Sequence, residues 1–438
     1  MIALRPDTTW FSMKKNKLAF FILLLCASKN IIAQTIPDTL HISLRQAEQI
    51  FIQNNLSLLA AKYNIDANKA LIQQAKLWDN PILTTDQNIY DKAGGFFKHD
   101  DVNGTFYVQV MQLVRTAGKR NKAAQLAMDN ATISQQQFDD LLRTLRYVLH
   151  NDLLETSHLL KIKKVYTREV EEVSNLIKGM DLQLKVGNVS VKDNLRIKAL
   201  LFSLQNELVS ADAQLLPLQS EIKLLLNNNE TKFIAPALEY KFGELTTASI
   251  PNTDSLVQQA LLNRPDAKIA QTAVALQNHN LSYQKALAKP DISIGTEFDQ
   301  RSSYAPNYVG LAVSLPLNIF NRNQGNIASA KFSVQQQQAI ADGTNAKIKN
   351  DITSAVSKFI FYQSVNNRQQ LDFSQQYDAL FNNMLKSYEQ RQISLLEFID
   401  FMDAYKDTKL KMVEQHNGLV HAAADLNYAV GNDIIKLN

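Results

Sequence analysis

The side chains best suited to chemistry in this 438-residue chain are seven histidines, one cysteine and a run of carboxylates, Glu397, Asp400 and Asp403. The histidines are scattered. His416 and His421 lie five apart, so they do not stack on one helix face as ligands at i and i+4 would, and no metal site is read from them. The only cysteine, Cys26, sits in an apolar N-terminal run, which leaves no thiolate site or disulfide in the rest of the chain. No glycine loop suited to a phosphate is present. With no catalytic constellation and no cofactor site, the sequence does not read as an enzyme. The carboxylates differ, because a spacing of three puts them on roughly one face of a helix, where they would attract cations. A simpler role is also open to them. Glu397 follows Ser394 by three residues, as a capping-box partner does, and Asp400 and Asp403 would then complement the helix N-terminus.

The elements that hold these residues follow from composition and spacing. The chain is 45% hydrophobic and 20% charged, enough to bury a core and too apolar for general disorder. Met13 to Gln34 reads as an export signal: Lys14, Lys15 and Lys17, an apolar centre from Leu18 to Cys26, and the small Ala33 at the cleavage point. Residues 1–33 are therefore expected to be a leader and signal peptide, with Met1 to Ser12 unrelated to the fold. Bulky Leu25 argues against a lipid anchor on Cys26. Without this segment, which holds five of the 46 basic and one of the 42 acidic residues, the charges balance. The main electrostatic argument for a nucleic-acid partner disappears.

Two proline-free stretches rich in helix formers, Gly118 to Val186 and Asn321 to Gln390, are each expected to form one very long helix. Their apolar residues are too thinly spread for an ordinary two-stranded coiled coil. The pattern suits the wall of a water-filled tube. The chain also repeats itself. Helix, strand, strand, long helix, sharp turn and helix occur over residues 34–229 and again over 254–438, with an irregular segment at 230–253. Helices are expected over Ser43 to Trp78 and Asp254 to Ala288, and tip turns at Leu184 to Asp193 and Glu389 to Glu397. Ser190 with Asp193 and Ser394 with Glu397 restart the helices after those turns.

Four strands are expected, at about 82–91, 104–114, 291–300 and 307–316. Ile292, Ile294, Thr296 and Phe298 alternate with Ser293, Gly295 and Glu297, and Val309, Leu311 and Val313 alternate with Gly310 and Ala312. Each is about ten residues long, the length of a tilted transmembrane strand. Asp91 to Gly104 and Arg301 to Pro306 are rim loops. Four strands cannot close a membrane barrel, so the chain must associate, and a bore wide enough to feed a helical tube favours 12 strands over the 8 of a dimer. Pro316 ends the last strand, and Asn321, Arg322, Asn323 and Gly325 form the polar turn into the long helix.

At this point the sequence resembles the TolC family of outer-membrane efflux channels over essentially the whole chain after the signal. The likeness is carried by SLRQAEQIFIQNNLSLLAA (Ser43 to Ala61), VQVMQLVRTAGKRNKAAQLA (Val108 to Ala127), LLNRPDAKIA (Leu261 to Ala270), SLPLNIFNRNQGNIASA (Ser314 to Ala330) and YEQRQISLLEFIDFMDA (Tyr388 to Ala404). Their order and duplicated spacing are the specific signal. The resemblance implies a mainly α fold with a transmembrane β-barrel part. Duplicated hairpins would form a homotrimer whose 12-stranded barrel continues into a periplasmic α-helical tunnel. It implies outer-membrane lipid, a periplasmic adaptor protein and an inner-membrane pump of the RND type as partners. FNRNQG (Phe320 to Gly325) looks most like the branch serving heavy-metal cation pumps. Multidrug efflux and type I protein secretion are alternatives in the same class, and a structural periplasmic coiled-coil protein is one outside it.

The resemblance also assigns sites. Acidic residues after the second tip turn line the closed periplasmic mouth in such proteins; Glu397 and Asp400 fall at those places, and Asp403 extends the series. Gly187, Asn188 and Ser190 at the first tip, with Arg391, Gln392 and Ser394 at the second, are candidate adaptor contacts. The pattern departs in two places. Arg196 stands where the repeat offset puts Asp400, and Arg391 stands where the first tip has Gly187.

Overall fold

The computed structural model describes residues 39–98, 104–230, 232–238, 240–366 and 368–437. The export signal expected over 1–33, with Cys26, lies outside them, as do residues 99–103 of the first rim loop.

The first half contains β1 (Thr39–Ile42), α1 (Leu44–Asn54), α2 (Leu56–Lys76), β2 (Ile82–Gln87), a small hairpin of β3 (Tyr90–Asp91) and β4 (Gly95–Phe96), and β5 (Phe106–Val114). It continues into α3 (Lys119–Lys185) and α4 (Val191–Leu226). Strand β6 (Phe233–Pro236) and helix α5 (Phe242–Thr246) connect the halves. The second half contains α6 (Thr253–Asn263), α7 (Pro265–Leu287), β7 (Ile292–Arg301), β8 (Pro306–Ser314), α8 (Gln324–Val365), α9 (Arg368–Glu389) and α10 (Leu395–Val430). Two helices, two strands of the main sheet, a long helical stretch and a returning helix therefore follow one another in both halves, with β1 and the β3–β4 hairpin additional in the first and the long stretch divided in the second.

The 67 residues of α3 form one uninterrupted helix, roughly 100 Å long at 1.5 Å per residue. Its counterpart does not. The single helix expected over Asn321 to Gln390 is two, because Asn366 leaves the helical region at φ −93° and ψ 61°. Its amide Nδ2 donates to Tyr362 O at 2.8 Å and to Gln415 O on α10 at 3.1 Å, so the side chain competes with the helical ladder. The helices expected over Ser43 to Trp78 and Asp254 to Ala288 are also each divided. Asn55 and Arg264 adopt extended ψ values of 121° and 129°. Pro265 excludes the helical region for Arg264. Asn55 instead caps Leu58 N through Oδ1 at 3.1 Å and donates to Leu225 O at 2.9 Å.

The connection between the halves is more ordered than its composition suggests. Strand β6 pairs in parallel with β1, from Thr39 opposite Phe233 to Ile42 opposite Pro236. The buried Gln219 side chain satisfies both backbone groups of Ile234, accepting from its N–H at 2.7 Å and donating to its carbonyl at 2.9 Å. This band wraps one hydrophobic core, which includes Phe51, Leu149, Leu153, Ile222, Ile234, Phe359 and Leu426. A second core, between that band and the tips, joins Val173 and Ile177 of α3, Ile197 and Leu204 of α4, Phe381 of α9, and Phe398, Met402 and Tyr405 of α10. No helix among the described residues is long and apolar enough to cross a membrane.

Candidate functional site: a two-faced sheet above a pair of helical tips

Strands β2, β5, β7 and β8 form one antiparallel sheet in that order, with the outer edges of β2 and β8 unpaired among the described residues. The register sorts side chains by face, since neighbours in a row share a side and successive rows alternate. Leu83, Val110, Thr296 and Leu311 make one row, and Thr85, Val108, Phe298 and Val309 make another on the same face. Gln112, Ile294 and Val313 join that face. The opposite face carries Thr84, Gln109, Glu297 and Gly310, then Asp86, Tyr107, Asp299 and Tyr308. Tyr107 and Gln109 each donate to Glu297 Oε2 at 3.0 Å. The apolar face is bare: Val309, Leu311 and Val313 are 74, 72 and 62% exposed. Bare apolar surface opposite a polar, hydrogen-bonded surface is the division a membrane strand needs.

The sheet is bolted to the helices by contacts with little local sequence signal. Arg115 donates to both carboxylate oxygens of Asp79 at 2.8 and 2.7 Å. The buried Lys119 donates to Asp291 Oδ1 and to Lys289 O, both at 2.7 Å. Arg120 lies 3.9 Å from the centre of the Trp78 ring. In the second half Pro316 follows the end of β8, and the turn into α8 is made by Asn321, Arg322 and Asn323. Asn323 takes φ +58° and its Nδ2 donates to Gln284 O at 2.8 Å. Gly118 holds the matching place before α3 at φ +67°. Gly325 is already inside α8, so the left-handed residue of the turn is Asn323.

The tips are built alike. Helix α3 ends with Gly187 N donating to Leu184 O at 3.1 Å and Asn188 N to Gln183 O at 2.9 Å. Helix α9 ends with Arg391 N donating to Tyr388 O at 3.0 Å and Gln392 N to Ser387 O at 2.8 Å. These are matching Schellman closures, with Gly187 at φ +77° and Arg391 at φ +58° in the same left-handed position. Gln183 Oε1 accepts from Asn188 Nδ2 at 2.9 Å and from Arg391 Nη2 at 3.2 Å, which ties one tip to the other. Ser190 Oγ then accepts from Asp193 N at 3.0 Å and Ser394 Oγ from Glu397 N at 3.3 Å.

The three carboxylates are all exposed, on the side of α10 away from the buried Phe398, Met402 and Tyr405. Glu397 also completes the capping box, accepting from Ser394 N at 2.8 Å, and that backbone donor holds its carboxyl below the usual range. Asp403 pairs with Lys406 at 3.3 Å. Further along the same helices lies a knot that local sequence does not announce. Tyr405 donates to Asp378 Oδ1 at 2.6 Å and Lys409 to Asp378 Oδ2 at 3.0 Å. Arg168 of α3 reaches across to Asn382 Oδ1 at 2.8 Å and lies 3.7 Å from Asp378. Burial works to raise the Asp378 pKa, but Tyr405, Lys409 and Arg168 outweigh it and hold it below the usual range.

No family model matches the chain. It is 20% identical over 289 residues to the cobalt-zinc-cadmium resistance protein CzcC of Cupriavidus metallidurans, covering 66% of each chain. It is 23% identical over 272 residues to the cation efflux system protein CusC of Escherichia coli, covering 57% of this chain and 53% of that one. The matches thus span between about half and two thirds of the length of these relatives. The crystal structure of the Campylobacter jejuni CmeC outer membrane channel superimposes with a TM-score of 0.71 at 13% identity, covering 89% of this chain and 86% of that one. The chain therefore has the fold of the TolC-like outer-membrane channels, and its sequence is similar to cation-efflux proteins.

Proposed function

We propose that the chain is the outer-membrane channel of a tripartite efflux system, a passive exit duct across periplasm and outer membrane for heavy-metal cations. The observation that carries this reading is the open sheet: four strands, one bare apolar face, one polar face, two unpaired edges, and long helices growing directly out of it. An unpaired edge in lipid leaves backbone groups without partners, so copies must close it. Because β2 and β8 run in opposite directions, β8 of one copy beside β2 of the next continues the antiparallel pattern. Three copies give a 12-stranded barrel wide enough to open into a helical tunnel.

In this reading the halves at 34–229 and 254–438 are two copies of one unit, joined by the 230–253 band. The turn at Pro316, Asn321, Arg322, Asn323 and Gly325 lies where barrel meets tunnel. The tips at Gly187, Asn188, Ser190, Arg391, Gln392 and Ser394 receive a periplasmic adaptor, itself joined to an inner-membrane RND pump that supplies the energy. Glu397, Asp400 and Asp403, repeated by the threefold axis, form a cation-attracting ring at the mouth. The names of CzcC and CusC support metal cations as the cargo.

The test is growth of a deletion strain on cobalt, zinc, cadmium, nickel, copper and silver salts beside a panel of drugs and detergents. Sensitivity to metals alone, restored by the gene, is expected. Sensitivity to drugs alone would overturn the cargo and leave the duct. Absence of the protein from outer membranes, with no conductance in planar bilayers, would overturn the duct and favour a structural coiled-coil protein.

A further inference from the structure

The charges of this chain balance once residues 1–33 are set aside, but they do not balance where the sheet passes into the helices. Residues 115–122 (RTAGKRNK) hold four basic residues and no acid, and residues 285–289 (KALAK) hold two. Lys76 ends α2, and Arg322 and Lys331 lie on either side of the start of α8. The junctions at 76–81, 115–122, 285–291 and 315–331 contain two acids, Asp79 and Asp291. Both are taken by the chain itself, Asp79 by Arg115 and Asp291 by Lys119, each at 2.7 Å. No other basic residue of these junctions has a carboxylate partner among the described residues, and Lys76, Lys285, Lys289, Arg322 and Lys331 are exposed.

Bare apolar side chains crowd the same level. Strand β5 reaches α3 through four residues, 115–118, whereas β8 reaches α8 through nine, 315–323. The longer connection, LPLNIFNRN, leaves Leu317, Ile319 and Phe320 exposed by 72, 63 and 91%. It is pinned along the end of α7, beside Lys285 and Lys289, because Asn318 Nδ2 donates to Ala288 O at 2.9 Å and Asn323 Nδ2 donates to Gln284 O. At the foot of β2, Leu77 and Trp78 are exposed as well, with the Arg120 guanidinium over the indole ring. Side chains of this kind do not suit a water-filled bore. They continue the bare face of Val309, Leu311 and Val313 past the end of the sheet. An apolar band that ends in Trp, Phe and a fringe of Lys and Arg fits the boundary between acyl chains and phosphate headgroups, where long basic side chains reach from one layer to the other.

We infer that this fringe is a binding surface for anionic phospholipid headgroups in the leaflet facing the periplasm. Lys285, Lys289 and Arg322 take the headgroup phosphates, and Leu317, Ile319 and Phe320 lie against the first carbons of the acyl chains. The attraction is summed over several cations and fades within a screening length, so a net negative headgroup is favoured over a zwitterionic one. The sign is opposite to that of Asp86, Glu297 and Asp299 on the polar face of the sheet just above. This rests on the duct reading, which puts the sheet in the outer membrane, and adds to it the lipid class that seats the chain at its depth.

The chain carries its own probe, since in a Trp10→Phe background Trp78 is the sole tryptophan. The test is quenching of its fluorescence by brominated phosphatidylglycerol or brominated phosphatidylcholine, with the full chain reconstituted in phosphatidylcholine vesicles. Quenching by both lipids is expected, with a relative affinity about tenfold higher for phosphatidylglycerol at about 0.1 M salt and close to equal at about 1 M. Lys76→Gln with Lys285→Gln, Lys289→Gln and Arg322→Gln should bring that preference below about twofold. Lys62→Gln with Lys69→Gln and Lys349→Gln, which removes exposed lysines farther from the sheet, should leave it unchanged. Equal quenching by the two lipids would overturn the headgroup preference and leave the duct standing; no quenching by either would take Trp78 out of the membrane boundary and overturn both. A preference that survives about 1 M salt, or one lost equally in the distant lysine variant, would also overturn the fringe. The salt series uses the unsubstituted junctions, so it decides the matter even where the fourfold variant fails to assemble.

Discussion

Glu169 faces the core of the tip region with 1% of its surface exposed, and neither carboxylate oxygen has a hydrogen-bond partner among the described residues. Burial pushes its pKa up to about 8; Lys406 and Arg168 oppose the shift, while Asp403 and Asp407 add to it. The folded chain thus keeps a proton that the unfolded chain gives up in the ordinary glutamate range. This stabilisation is fully present below the unfolded pKa and is lost as pH rises through the folded value near 8, where a charge must be held in the core. Glu169→Gln keeps the shape and removes the titration. It is expected to stabilise the protein at pH 8 by roughly 2 kcal/mol and by little at pH 4, measured as thermal midpoints across that range. An equal effect at both pH values would show that packing, not the buried charge, sets the outcome. Asp152, raised to about 7 by burial and by Glu221, leaves the variant some slope of its own.

The two tips set an internal comparison at the scale of the element. Gly187 and Arg391 occupy the same left-handed position of the same closure, at φ +77° and +58°. A side chain there costs about 1–2 kcal/mol relative to glycine in that conformation. Gly187→Ala is therefore expected to lose about 1 kcal/mol in denaturant unfolding. Arg391→Gly relieves the strain, but glycine's greater freedom in the unfolded chain and the lost bond to Gln183 offset most of the gain, leaving a change within about 0.5 kcal/mol. A loss at Arg391→Gly as large as at Gly187→Ala would show that the side chain, rather than the backbone, organises that tip. These turns were legible in sequence because capping is local: Ser190, Asp193, Ser394 and Glu397 carry it within four residues. Three of the four strands were legible for the same reason, through their alternation; the segment from Ile82 alternates too weakly for that, and of the 82–91 expected only Ile82–Gln87 joins the sheet, by pairing with β5, while Tyr90–Asp91 turns into the small hairpin. The breaks at Asn55 and Asn366 were not. Each sits in helix-forming sequence, and the partners that hold it open, Leu225 and Gln415, lie far away along the chain. Arg264 was half legible through Pro265, but its bond to Ala429 O at 2.9 Å is tertiary. The Arg168, Asp378 and Tyr405 knot joins three helices and left no trace in any one of them.

At the scale of the assembled molecule, the carboxylates on α10 become a question of symmetry. In one chain Glu397 and Asp400 are exposed side chains, and Glu397 has local work as a cap. A threefold axis would bring three copies of each around one narrow mouth, where like charges concentrate cations and repel anions. Glu397→Gln combined with Asp400→Asn separates the two roles. Glutamine serves at the third position of a capping box as glutamate does, so the helix start and the tip turn should survive. The formal charge of the ring falls by six per trimer. The cation-to-anion permeability ratio in planar bilayers is then expected to fall severalfold at about 0.1 M salt, where the screening length is about 10 Å. It should change little at about 1 M, where that length shrinks to about 3 Å. A difference that persists at high salt would point to altered pore shape. A ratio unchanged at low salt would remove both residues from the gate and leave Glu397 as a helix cap alone.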